Sequence, residues 1–170
     1  MTCLSIKLLP ALALLALIAA PQASAQEPTW IYRAESDPAE LGYATPGGRD
    51  VTLALSCAKD TRQIVAYFSA ARTLAVRNEN GVWLDDVGRR APWPVSVTLS
   101  SGEQSTTIPG QATVGPTPEG SAVRVEFADR APVAENFAKT GELRLAALGS
   151  VIAPPAAPRR ELRSFLRYCR

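Results

Sequence analysis

Histidine is absent from the chain, and that absence removes a large share of enzyme chemistry. No Ser-His-Asp or Cys-His nucleophile pair, no HExxH zinc site and no imidazole general base can be assembled. Cysteine is scarce, at three residues in 170, and two or three sulfurs without histidine do not complete a zinc site. No loop shows the alternating Asp/Asn pattern with glycine that holds calcium. Neither a metal nor an organic cofactor is therefore expected, and no catalytic residue stands out. An excess of one charge is also missing, with 18 Lys and Arg against 16 Asp and Glu. Nucleic-acid binding, which calls for a marked basic excess on one face, is not expected, and no polybasic segment suits a membrane surface.

Long apolar runs are equally few. The run from Leu8 to Ala20 covers about thirteen residues, whereas a bilayer-spanning helix needs ~20. It follows Lys7 and precedes Pro21 and the small-residue triplet Ala23-Ser24-Ala25. That order predicts a cleavable secretory signal at residues 1–25, cut between Ala25 and Gln26. Cys3 leaves with it, and no cysteine follows the cut to carry a lipid. The expected mature chain, residues 26–170, has the length of one domain, a periplasmic or secreted address and no stable membrane insertion. Cys57 and Cys169 remain as an even pair in an oxidising compartment, which predicts a Cys57–Cys169 disulfide.

Proline and glycine punctuate the mature chain about every ten residues, a spacing that suits short strands. Between them apolar residues recur with period two. Val51, Leu53, Leu55 and Cys57 share one face, as do Val95, Val97 and Leu99, then Val123, Val125 and Phe127, then Leu143 and Leu145. Such segments read as strands buried on one side and wet on the other. Further strands are predicted over 30–33, 41–44, 63–68, 73–77, 82–84 and 106–108. Asn80-Gly81 predicts a hairpin from Leu74 to Leu84, because both residues tolerate positive φ.

Residues 153–158 hold three prolines and read as an extended linker. The period then turns helical over 158–169, where Leu162, Phe165, Leu166 and Cys169 fall on one face. Arg159, Arg160, Arg163 and Arg167 take the other sides, as a solvated exterior or an anionic docking face. A second short helix is predicted over 132–139, with Val133, Ala134 and Phe137 inward. Cys57 and Cys169 each lie on an apolar face, so a terminal helix docked on the sheet would bring them together. The fold class expected is mainly β, an antiparallel sandwich or flattened barrel, with a C-terminal helix tied to the sheet by the disulfide.

Candidate chemistry is sparse. Ser56-Cys57-Ala58-Lys59 with Lys139-Thr140-Gly141 matches two signatures of serine β-lactamases, but Ser56 falls on a predicted strand rather than a helix, and the Ser-Asp-Asn element is missing. Asp85-Asp86 reads as a solvated loop leaving the hairpin, and adjacent strand residues point apart, so the two make no dyad. Arg89-Arg90-Ala91-Pro92-Trp93-Pro94 is the most binding-like segment, two guanidiniums and an indole in a stiff frame. Arg89, Arg90 and Trp93 are accordingly the candidate binding residues. The alternative folds Trp93 inward as a core plug. Trp30 and Tyr32 are expected to pin the first strand to the core.

The aromatic opening Trp30-Ile31-Tyr32, then Leu41-Gly42-Tyr43-Ala44, Val51 to Cys57 and the closing Phe165-Leu166-Arg167-Tyr168-Cys169 form a layout. It resembles small exported proteins of Gram-negative bacteria, particularly α-proteobacteria, that carry no assigned function. The resemblance implies a periplasmic location and Cys57–Cys169 pairing, and it transfers no catalytic residue. Periplasmic lysozyme inhibitors share the size, the β-rich form and the disulfide. Their Ser-Gly-x-x-Tyr loop is replaced here, since Ser101-Gly102 is followed by Glu103, Gln104 and Ser105. The expected role is a periplasmic binding or interaction module, inhibitors included, whose partner is an envelope protein or a glycan. Two alternatives remain open: a structural or envelope-maintenance protein, and a carboxylate-dependent hydrolase of glycans.

Overall fold

A strand that alternates apolar and polar residues must have one dry face, and a curled sheet around two helices provides it. The computed structural model describes residues 27–48, 50–117 and 120–170. The expected signal over residues 1–25 and its cut lie outside the described residues. In chain order the elements are β1 (Thr29–Arg33), β2 (Ala39–Ala44), β3 (Val51–Cys57), β4 (Gln63–Ala70), β5 (Arg77–Glu79) and β6 (Val82–Leu84). There follow β7 (Trp93–Ser101), β8 (Gln104–Val114), β9 (Ser121–Ala128), α1 (Pro132–Thr140), β10 (Arg144–Ala147), β11 (Ser150–Ile152) and α2 (Arg159–Cys169).

Nine of these strands form one antiparallel sheet in the order β1-β2-β3-β4-β9-β8-β7-β10-β11, and β5 and β6 form a separate hairpin. Two meanders, β1 to β4 and β7 to β9, are therefore joined where β9 pairs with β4, Gln63 opposite Ala128 through Ala70 opposite Ser121. The sheet curls enough for the Ser150 hydroxyl on the far-edge strand to accept a hydrogen bond from the Ala71 N–H at 2.8 Å, just past β4. α1 packs on β7 and β8, and α2 packs on β1, β2 and β3. Leu53, Leu55, Ile64, Ala66, Val123 and Val125 line the dry face and meet Phe137 of α1 and Phe165 of α2 in one core.

The fold class and the tie are as expected: Cys57 at the end of β3 is bonded to Cys169 at the end of α2, with Cα atoms 5.6 Å apart. Both cysteines are buried. Tyr32 on β1 donates to the Ser164 carbonyl of α2 at 3.4 Å, and the Trp30 indole N–H donates to the Pro155 carbonyl at 2.8 Å. Both aromatics thus pin the first strand. The 153–158 segment is held along its length, since the Ala157 N–H also donates to Gly141 O at 2.8 Å. Gly141 is needed there: it ends α1 with φ +78, and a Cβ would stand 2.5 Å from the Ala157 carbonyl oxygen.

Three sequence expectations change. The strand over 73–77 is replaced by coil as far as Val76, because Leu74 and Ala75 direct their N–H groups to the Ser121 and Thr73 hydroxyls, a local alternative to ladder pairing. The hairpin survives as Arg77–Leu84, turning on Asn80 at φ 52 and Gly81 at φ 84. The strand over 106–108 extends across Gln104–Val114, running through the Pro109-Gly110 pair that reads as a turn.

Candidate binding cleft

The loop holding Arg89, Arg90 and Trp93 is organised by Asp85. Its carboxylate accepts from the N–H groups of Arg89 at 2.6 Å and Val87 at 3.2 Å and from Arg89 Nε at 2.8 Å. Asp85 is only 4% exposed, so the solvated-loop expectation fails for it and holds for the exposed Asp86. Burial is compensated because three donors from the next turn converge on one carboxylate. Burial pushes the Asp85 carboxyl up, while the bonds from Arg89, its charge and the Val87 N–H outweigh that and hold it below its ordinary value. Trp93 is 1% exposed and donates from Nε1 to the Arg89 carbonyl at 2.9 Å. The indole is thus the inward plug of this loop, and of the three candidate residues only Arg89 and Arg90 reach the surface. Ser56 sits on β3 between Glu40 and Val65, without the helical turn that would bring Lys59 beside it.

A different place brings unpaired backbone and an apolar concavity together. Ser101 and Gln104 close a two-residue turn between β7 and β8, with Gly102 at φ +53. The turn is pinned to α1, since Asn136 Nδ2 donates to the Ser101 carbonyl at 2.7 Å and approaches its hydroxyl at 3.1 Å. In such a hairpin the closing pair exchanges hydrogen bonds and every second pair thereafter does so. Along β8, Gln104, Thr106, Ile108, Gly110 and Ala112 therefore direct their backbone groups to β7. Ser105, Thr107, Pro109, Gln111 and Thr113 direct theirs to the opposite side.

That opposite side is paired only in part. β8 joins β9 from Val114 opposite Ser121 to Gly110 opposite Val125, and no further. The next residue in line is Pro109, which has no N–H to give to the ladder. Beyond it the strands fork. Gln104 to Pro109 pair with β7 alone, so Ser105 and Thr107 present N–H and C=O groups along an open edge inside the sheet. Gly110 marks the point of closest approach, where a Cβ would stand 2.7 Å from Val97 Cγ2 and 2.8 Å from the Arg124 carbonyl.

The fork encloses a cleft of about 500 Å³ whose apolar lining comes from Ile108 and Pro109 of β8, Phe127 of β9, and Ala131, Pro132 and Val133 at the start of α1. Thr106 and Ser105 stand at its edge, and Glu126 is the one carboxylate in its lining. The two carboxylates that glycoside hydrolysis requires do not meet in this cleft. Volume and lining suit an apolar group entering from solvent. Among the described residues no group of three or more Cys, Asp or Glu side chains is placed to hold a metal ion, and no helix is long and apolar enough to cross a membrane.

The sequence does carry a sign of the fork. A Pro-Gly pair flanked by alternating residues, Thr106 to Ile108 and Gln111 to Val114, is compatible with a strand that loses its partner on one side. Comparison with protein-family models, with curated proteins and with solved structures returns no significant match. The reading of the cleft therefore rests on its geometry.

Proposed function

We propose that this protein is an exported binding module that takes an extended, apolar polypeptide segment into the β8–β9 fork by strand addition. The observation that carries the reading is the coincidence of an unpaired strand edge, Ser105 to Pro109, with the apolar cleft beside it. An open row of alternating N–H and C=O groups is matched by another polypeptide backbone, and the cleft selects an apolar side chain at alternate positions. A glycan offers hydroxyls without that repeat, so a polypeptide is the preferred occupant. Export is supported by the signal-like residues 1–25 and by the buried Cys57–Cys169 bond, which fits an oxidising compartment.

The test is selection of random peptides on the immobilised protein, with Thr107→Pro and Thr106→Lys variants as counter-targets. Thr107→Pro deletes one edge N–H at a place where proline is tolerated, and Thr106→Lys puts a charge at the mouth. Both positions are exposed, so the core is left intact. Peptides with alternating apolar residues should be retained by the wild type and lost on both variants. Failure to select any peptide, or equal retention by the variants, overturns the reading.

A further inference from the structure

Away from the fork, α2 gathers positive charge on one face, with Asp129 set against Arg170 alone. Arg163, Arg167 and Arg170 follow one another at spacings of four and three, so they stack along one side of the helix and its end. With Leu166 of α2 and Ala138 of α1 they line a concavity of about 370 Å³ that contains no acidic side chain. Among the described residues the ion pairs are Arg77–Glu79, Arg89–Asp85, Arg124–Glu126 and Arg170–Asp129. Arg163 and Arg167 belong to none of them.

A merely solvated helix face relieves like charges with acids one turn away. α2 has one acid, Glu161, and the residues three and four beyond it are Ser164 and Phe165, so it stands on a different stripe. Arg170 is held from behind. Its Nε donates to Asp129 Oδ2 at 2.9 Å, and Asp129 is only 1% exposed. That contact uses one guanidinium edge and fixes the orientation of the other. Three guanidiniums, one of them pre-positioned, over an apolar floor match a compact, multiply charged oxyanion better than a single carboxylate, because each planar fork engages two oxygens.

We propose that Arg163, Arg167 and Arg170 form a binding site for a phosphate-bearing anion. The site is separate from the strand-addition cleft and does not depend on it. Free phosphate and a lipid headgroup share this chemistry, and the test distinguishes them.

The full chain is titrated with inorganic pyrophosphate by calorimetry at low ionic strength, with sodium chloride at matched ionic strength as the blank. In a second arm it is sedimented with phosphatidylglycerol vesicles and with neutral phosphatidylcholine vesicles. Two charge-matched variants are compared, Arg163→Ala/Arg167→Ala and Arg159→Ala/Arg160→Ala, the second pair lying on the same helix outside the concavity. Wild type and the 159/160 variant should bind pyrophosphate, and the 163/167 variant should bind about tenfold or more weakly, the scale of one to two lost charge-assisted bonds. Binding confined to phosphatidylglycerol vesicles with the same variant pattern identifies a lipid headgroup as the source. No binding in either arm, or an equal loss in both variants, overturns the proposal.

Discussion

Breaking the Cys57–Cys169 bond returns to the unfolded chain the freedom of a loop of 112 positions. Chain-entropy reasoning assigns about 4 to 5 kcal/mol to closing a loop of that length. The native contacts of α2 do not require the bond: Leu162, Phe165 and Leu166 stay buried, each favouring docking by about 1.5 to 3 kcal/mol. The folded state should therefore survive reduction while its margin shrinks. In urea, with a slope of about 2 kcal/mol per molar, the unfolding midpoint should fall by about 2 M. Circular dichroism would follow unfolding of the oxidised protein, the reduced protein and a Cys57→Ala/Cys169→Ala variant. Agreement of the last two separates the loop effect from the loss of two buried sulfurs. Amide exchange should quicken first in α2, the element freed to open alone. A midpoint shift below about 0.5 M, or α2 amides equally protected with and without reductant, would refute the reasoning.

Other expectations follow from single residues. Asp85→Asn should lower the melting temperature at neutral pH. The Asp85 carboxyl is held below its ordinary value of 3.8, so its contribution is complete above that pH and fades as the pH falls through the lowered value; a wild-type to variant difference undiminished at the acid end would count against it. Trp93→Ala should cost about 3 to 5 kcal/mol in denaturant unfolding, the range for emptying a large aromatic site. Arg90→Ala, at an exposed position, should stay within about 0.5 kcal/mol of wild type in the same assay. Gly110→Ala forces a Cβ against Val97 and the Arg124 carbonyl, and should cost about 1 to 3 kcal/mol by calorimetry.

What the sequence made legible was local or countable. Period-two alternation located β3, β7, β9 and β10, because a half-buried strand writes its register into successive residues. Asn80-Gly81 placed the hairpin turn, and an even cysteine pair gave the bond. β11 escaped notice because Ser150-Val151-Ile152 is too short to show a period. The burial of Asp85 was hidden for another reason: aspartate in a turn is usually wet, and only the folded turn shows three donors aimed at it. Trp93 could be a surface anchor or a plug by residue type alone, and tertiary packing decided for the plug. The fork was least legible, since it arises from how far β8 outruns its pairing with β9, a relation between strands that are near in space but set independently in sequence.

The bond between the Trp30 indole and the Pro155 carbonyl spans 125 positions, so the first strand is tied to a segment far along the chain. β1, β2 and β3 are made early, yet the helix that covers them and the thiol that joins Cys57 come only when residues 159–169 have been added. Without α2 the first half of the sheet has no lid. Undocking of α2 would therefore uncover the dry face of β1, β2 and β3 together, rather than strand by strand.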